Sequence, residues 1–272
     1  MTQITVCSHL CPHQALHLSK VLGLPLISTP PPAKQLGEQM ILDWYHYKNQ
    51  CPEEAPKLGL FSSHSGPVSI DFISGKKNHR RQFGGGKGQP LARAIGISGE
   101  NTPSVLDATA GMGGDAFVFA TLGCRVVMVE RSPIVAALLQ DALDRALNAS
   151  NLDPDVREIV GRLSLVNADA ADYLLNQQPQ VEVVYMDPMY PDKKKAASAK
   201  KEMKVLQQLL GPDMDSEKLL DAALRTANKR VVVKRPAKAP TIKGIQPNAE
   251  IKSPNTRYDI YSIKALKAAG LI

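Results

Sequence analysis

The chain reads as an α/β protein: a mostly parallel sheet with helices on both faces, preceded by a small α+β region. Three observations predict this. From Ser104 to the end, short apolar segments alternate with segments of helical spacing, the rhythm of a parallel sheet. The apolar segments ending near Leu106, Val129, Val166 and Met186 each run into a loop carrying Asp or Glu. In such folds ligands bind at the carboxyl ends of the strands. The first 75 residues follow a different rhythm, with short segments bounded by Gly, Pro or Ser. The expected division is therefore a small subdomain over residues 1–75 and a main domain over residues 76–272.

In order along the chain, Thr2–Cys7 predicts a strand and Pro12–Leu22 a helix, with Leu16, Leu18, Val21 and Leu22 apolar. Pro30–Pro32 breaks the chain. Met40–Tyr47, Leu58–Phe61 and Val68–Phe72 are short strand candidates, and Leu91–Ile95 a short helix. Strands are expected at Val105–Leu106, Arg125–Val129, Leu163–Val166, Val181–Met186 and Arg230–Lys234. Helices are expected over Ala116–Leu122, Pro133–Asn148, Ala170–Leu175, Ala196–Leu210 and Ser216–Asn228. Ala249–Lys252 and Arg257–Ile263 predict a closing hairpin.

Composition excludes several classes. Of 272 residues, 43% are hydrophobic and 22% charged, as in an ordinary globular domain. No apolar stretch approaches the length of a membrane span, and the first residues lack a secretory leader pattern, so a cytoplasmic protein is expected. The four cysteines form no CxxC pair and suggest no disulfide framework. Cys7, His9, Cys11, His13 and His17 form a local tract that can bind a metal, but its spacing matches no standard zinc pattern. Cys7 and Cys11 can equally be core residues, and no metal is assigned.

The loops carry the chemistry. DATAGMGGDAF, Asp107–Phe117, joins a strand to a helix, and its glycines permit positive φ and close ligand approach. It is neither a GxGxxG dinucleotide fingerprint nor a Walker loop. Asp107 and Asp115 would repel a pyrophosphate but suit a cation such as S-adenosylmethionine. Read alone, the loop is equally a tight turn. Glu130, nineteen residues after Gly111, ends the strand RVVMVE and can accept from both ribose hydroxyls. Asp169, in Asn167–Ala170, can accept from the adenine amine, cap the following helix, or do both. In VVYMDPMYP, Val183–Pro191, Asp187 ends an apolar strand. Its carboxylate and a neighbouring backbone carbonyl can hold the two hydrogens of a base-attached amine. Pro188 stiffens the loop, and Tyr190 offers a face for stacking. This loop too can be no more than a proline-stiffened turn.

DATAGMGGDAF, VERSP, the NAD tripeptide and VVYMDPMYP resemble class I S-adenosylmethionine-dependent methyltransferases. HRRQFGGGKG, DATAGMGGDAF, ERSPIVAALL, YMDPMYP, KKEM, KRVVVKRP and RYDIY, in order from about Lys57 to Tyr261, resemble the RsmJ family of small-subunit (16S) ribosomal RNA guanine-N2 methyltransferases. Met189 departs from the general Asp-Pro-Pro-Tyr pattern but fits this family. The resemblance implies a Rossmann-like fold with a seven-stranded, mostly parallel sheet whose last strand is antiparallel. It also implies cofactor contacts at Gly114–Asp115, Glu130–Arg131, Asp169–Ala170 and Asp187. The cofactor-binding set is thus Asp107, Gly111, Gly114, Asp115, Glu130, Arg131, Asp169, Ala170 and Asp187. The catalytic set is Asp187, Pro188 and Tyr190.

The net charge of +7 is unevenly placed. Lys76, Lys77, His79, Arg80, Arg81 and Lys87 precede the main domain. Lys193, Lys194, Lys195, Lys200, Lys201 and Lys204 follow the catalytic loop. Lys229, Arg230, Lys234, Arg235 and Lys238 flank a later strand. One such run is usually a solvated face, whereas three on one rim favour a phosphate backbone. Lys76, Lys77, Arg80, Arg81, Lys87 and Lys193–Lys195 are the RNA-binding candidates, with 16S rRNA of the small subunit as partner and a monomer as the expected state. Competing readings are methylation of adenine N6 in DNA, methylation of another amine or amide such as a protein glutamine, or a non-catalytic RNA-binding module.

Overall fold

The computed structural model describes residues 3–47, 54–63, 65–73, 86–150, 152–189, 205, 209–210 and 215–272. The expected boundary between residues 75 and 76, and most of the helix expected over Ala196–Leu210, lie outside them. The described residues form two compact units. One holds the chain up to Asp71, together with Pro133–Ser150 and the few described residues between 191 and 212; the other holds the remainder.

The first unit is built on a five-stranded sheet of β1 (Ile4–Cys7), β2 (Leu26–Ile27), β3 (Met40–Tyr45), β4 (Lys57–Ser62) and β5 (Ser65–Val68), in the order β2-β1-β3-β4-β5. Helix α1 (Pro12–Leu22) starts on a proline, which loses nothing at a position whose N–H has no helical partner. It stops at Gly23, whose φ of 63° places it in the left-handed region. The long helix Pro133–Asn148 belongs to this unit. Its Asp141 accepts from the Leu58 backbone N–H and from Arg145, and Arg145 also donates to the Ile70 carbonyl. That contact explains one difference from expectation. The sequence predicts a strand over Val68–Phe72, but the strand is Ser65–Val68. Beyond it the Ile70 carbonyl serves Arg145, and Asp71 pairs with Lys57.

The second unit carries a seven-stranded sheet of β6 (Val105–Asp107), β7 (Val126–Glu130), β8 (Leu163–Asn167), β9 (Val183–Met186), β10 (Arg230–Pro236), β11 (Ala249–Lys252) and β12 (Thr256–Ser262). Their order is β8-β7-β6-β9-β10-β12-β11. β6 to β10 are parallel, and β12 inserts antiparallel between β10 and β11. The class I methyltransferase fold with an antiparallel final strand is therefore present, together with the small α+β region. Its helices are α2 (Pro90–Ile95), α3 (Gly114–Thr121), α5 (Pro154–Gly161), α6 (Ala170–Gln177), α7 (Ser216–Thr226) and α8 (Ile263–Ala268), with α4 being Pro133–Asn148 of the first unit. The sequence reading does not anticipate α5 or α8. For α5 the signal is present: Asp153 caps the helix by accepting from the Asp155 N–H, and Pro154 opens it.

Side chains alternate across a strand, and here the alternation sorts core from chemistry. Leu106, Val184, Met186, Val231 and Val233 join one apolar cluster with Leu174, Leu220, Ala223 and Leu266 of α6, α7 and α8. The intervening positions face the other way. Register pairs Asp107 with Tyr185, and Tyr185 with Val232. Two residues further on, Asp187 and Lys234 are the next residues on that same face. There Tyr185 meets Phe119 of α3 edge to face, with ring centroids 5.0 Å apart.

Candidate active site

The site is assembled at the carboxyl ends of β6, β7, β9 and β10. After β6 the chain turns through Gly111 (φ 51°) and Gly113 (φ 67°) before entering α3, conformations that side chains with a Cβ rarely adopt. Asp115 lies in the first turn of α3, where the helix dipole favours negative charge. Glu130, only 6% exposed, folds back on this turn. Its Oε2 accepts from the Gly111 N–H at 2.9 Å and its Oε1 from the Ser132 N–H at 2.7 Å. Two charge-assisted bonds hold the carboxylate rigidly between the first and second loops. The third loop joins the same point, because Asn167 Nδ2 and the Ala168 N–H both donate to the Glu130 carbonyl.

The catalytic loop is tied in from the other side. The Asp187 N–H donates to Thr109 Oγ1 at 2.6 Å, and the Thr109 N–H to Asp107 Oδ1 at 3.1 Å. Lys234 Nζ lies 2.7 Å from Asp115 Oδ2 and 2.8 Å from Asp187 Oδ2. The Tyr185 hydroxyl donates to the same Asp115 oxygen at 2.6 Å. Asp107, Asp115, Asp187, Lys234 and Tyr185 thus form a single network.

Their ionisation follows from that crowding. Asp107 is 2% exposed. Burial first, then the negative charges of Asp115 and Asp187, push its carboxyl up to about 8, against the Thr109 N–H and Lys234. Burial opposes the charge on Lys234, but Asp187 and Asp115 outweigh it and hold the ammonium above its ordinary range. Tyr185 is raised by burial and by Asp115 and Asp187, so it stays a neutral donor.

The residues fit a cationic nucleoside. An added Cβ at Gly114 would meet nothing within 4 Å, so a ligand can approach the backbone there. Glu130 presents a fixed carboxylate for hydroxyl donors. The acid-rich network beside it suits positive charge.

Among the expected residues, Asp107, Gly111, Asp115, Glu130 and Asp187 are brought together, with Gly114 beside Asp115. Pro188 is buried directly after Asp187. Asp169 caps α6 by accepting from the Asp172 N–H, and Ala170 is buried in the first turn of that helix. Arg131 extends to Asp215 at 3.3 Å. Lys87 donates to the Gly99 carbonyl and lies within electrostatic reach of Cys124, before the start of β7. Tyr190, Lys76, Lys77, Arg80, Arg81, Lys193, Lys194 and Lys195 lie outside the described residues.

The third basic run does not form one rim. Lys229 pairs with Glu182 and Arg230 donates to the Ala94 carbonyl, both at the start of β10. Arg235 is buried against the Pro240 carbonyl, and Lys234 enters the acidic network. Sequence reasoning misses Thr109, Tyr185 and Lys234 as site residues. Their signal is strand parity, which becomes usable only when register is known. Among the described residues no group of three or more His, Cys, Asp or Glu side chains is placed to hold a metal. Cys7 and Cys11 are buried, and their thiols are raised chiefly by burial. No helix among the described residues is long and apolar enough to cross a membrane.

The family model described as "Putative SAM-dependent methyltransferase" matches residues 52–263. A ribosomal RNA small subunit methyltransferase J from Hydrogenovibrio crunogenus is 59% identical over 98% of this chain and 97% of its own length. One of the same name from Pseudomonas paraeruginosa is 46% identical over 94% and 92%. The crystal structure of a SAM-dependent methyltransferase from Neisseria gonorrhoeae superposes with a TM-score of 0.70 at 30% identity, covering 96% of both chains. With this fold, these carboxylates and these relatives, the chain belongs to the SAM-dependent methyltransferase family that includes the small-subunit ribosomal RNA methyltransferases J.

Proposed function

We propose that the protein transfers a methyl group from S-adenosyl-L-methionine to the exocyclic N2 of a guanosine in 16S rRNA. The observation that carries this reading is the placement of Asp187: at the end of a buried strand, fixed by Thr109 and Lys234, and joined through the Thr109–Gly111 turn to Glu130. The relatives named small-subunit rRNA methyltransferases supply the substrate class.

When bound, the donor supplies an electrophilic methyl group on a sulfonium that leaves as a neutral thioether. The protein's own part is binding and alignment. Glu130 holds the ribose hydroxyls, with Arg131 beside it, and Asp169 takes the adenine amine while still capping α6 next to Ala170. Gly111 and Gly114 let the backbone come close, and Asp107 and Asp115 face the positive charge. Asp187 and a backbone carbonyl of its loop hold the two hydrogens of the guanine amine, which directs the nitrogen lone pair at the methyl group. A strong base is not required. Pro188 stiffens the loop and Tyr190 stacks on the base. Lys76, Lys77, Arg80, Arg81, Lys87 and Lys193–Lys195 contact phosphates. We infer a monomer acting in the cytoplasm, where small subunits are assembled, on a main domain that begins near residue 76.

The test uses methyl-labelled S-adenosylmethionine with small subunits from a strain lacking the enzyme, genomic DNA, bulk protein or no substrate. Label in 16S rRNA alone supports the proposal. Label in DNA or protein redirects it to an adenine or an amide, and cofactor binding without any transfer overturns it.

A further inference from the structure

Among the described residues of the acidic network Lys234 is the cation, and beyond its contact with Asp187 no part in the transfer step has yet been assigned to it. It lies in the C-terminal half of β10, one position beyond Val233, which pairs with Met186. Register therefore places it beside Asp187. Its Nζ is shared between Asp187 Oδ2 and Asp115 Oδ2, at 2.8 and 2.7 Å, so one ammonium joins the catalytic loop to the start of α3. The two ends differ in exposure. Asp115 is held deep in the site by the Tyr185 hydroxyl as well, whereas the Asp187 side chain is 42% exposed. A half-exposed carboxylate at a strand end has several accessible rotamers. A charge-assisted bond to a partly buried ammonium selects among them.

We propose that Lys234 is a positioning residue for methyl transfer: its ammonium, anchored on Asp115, fixes the Asp187 carboxylate in the orientation and charge state that receive the acceptor amine. This rests on the role proposed above for Asp187. Without Lys234, Asp187 and Asp115 face each other as like charges, with the Asp107 carboxyl and the neutral Tyr185 phenol as the other titratable groups of the network among the described residues. Like charges favour protonation of one of them. A protonated or misdirected Asp187 no longer accepts both hydrogen bonds of an amine. Lys234 thus acts on the turnover step, while the cofactor's ribose and adenine contacts, which run through Glu130 and Asp169, stay intact.

The test compares full-length wild type, Lys234→Met and Lys234→Arg. Methyl transfer to rRNA is followed from pH 5.5 to 9 with cofactor saturating, alongside cofactor affinity and thermal midpoint. Lys234→Met is expected to lower kcat about a hundredfold, to leave cofactor binding no weaker than in wild type, and to move the acid limb of the kcat profile to higher pH. Lys234→Arg is expected to restore kcat to within about tenfold of wild type. Loss of cofactor binding and thermal stability in both variants, with the acid limb unmoved, overturns the proposal and leaves Lys234 a structural ion pair. A second readout needs no activity. Carboxyl-labelled aspartate resonances, with Asp187 assigned through Asp187→Asn, give its titration directly. A higher Asp187 pKa in Lys234→Met supports the proposal and an unchanged one overturns it. If wild type transfers no methyl to rRNA, the substrate reading fails while this titration still decides the role of Lys234.

Discussion

Raising the pH from about 6 to about 9 is expected to tighten S-adenosylmethionine binding through Asp107. Its carboxyl, buried at the end of β6 and crowded by Asp115 and Asp187, is held at about 8. The cofactor's positive charge favours the ionised form, so binding draws a proton off Asp107. For unit charges ~5 Å apart at an effective dielectric of ~20, the attraction is about 3 kcal/mol, or roughly two pK units. Affinity through this group should therefore rise about fiftyfold across that range, mostly below pH 8, where each pH unit changes the free protein's ionised fraction about tenfold. The assay is calorimetric titration at several pH values, in buffers of different ionisation enthalpy, for wild type and Asp107→Asn. The cofactor's own amino group titrates in both proteins, so the difference between the two profiles isolates Asp107. Stability carries the same sign information. A carboxyl at about 8 in the folded protein, against an ordinary value of 3.8, contributes stability that is full below about pH 4 and lost as pH rises through 8. Asp107→Asn should therefore melt higher than wild type above pH 8, with the gap closing towards acid. An identical pH slope of affinity in both proteins, or no pH-dependent gap in melting temperature, would show that Asp107 does not titrate in this range.

Other outcomes are equally direct. Glu130→Ala removes the carboxylate bonded to the Gly111 and Ser132 N–H groups; cofactor affinity should fall by about 2–3 kcal/mol, or roughly 30- to 150-fold in calorimetry. The Tyr261 hydroxyl is buried with no hydrogen-bond partner among the described residues, so Tyr261→Phe should leave stability unchanged or raise it by up to about 2 kcal/mol in denaturant titration. Replacing Lys193, Lys194 and Lys195 together with Ala should weaken rRNA binding in filter or anisotropy assays. It should also reduce the slope of log K against log salt by about one for each phosphate no longer neutralised, with cofactor affinity unchanged.

What is legible in the sequence divides along physical lines. Strands such as VVMVE and RVVVK are runs of β-branched residues between turns, and the loops after them contain the carboxylates, so Asp107, Asp115, Glu130 and Asp187 can be named from order alone. The partners of these groups cannot. Lys234 reads as one member of a basic run because its neighbours Lys229, Arg230 and Arg235 have the same charge. Only the pairing of Val233 with Met186 turns it towards Asp187. Tyr185 looks like one more apolar strand residue until parity puts its hydroxyl on Asp115. Leu26–Ile27 escapes notice because two residues carry no period, and its pairing to Val6 and Cys7 is set by the sheet rather than by its own sequence. The association of Pro133–Asn148 with the N-terminal sheet depends on Asp141 and Arg145 meeting Leu58 and Ile70, contacts separated by 83 and 75 residues and invisible to local reading.

Asp187 carries the proposed role of directing a guanine amine of 16S rRNA to the methyl donor. Nucleoside analysis of small-subunit rRNA labelled by wild type and by Asp187→Ala, with cofactor affinity measured by calorimetry, tests that role. Expected are label as N2-methylguanosine with wild type and a rate at least about a thousandfold lower with Asp187→Ala, whose cofactor affinity stays within about tenfold. Label in a different nucleoside, or an Asp187→Ala rate within about tenfold of wild type, would contradict it.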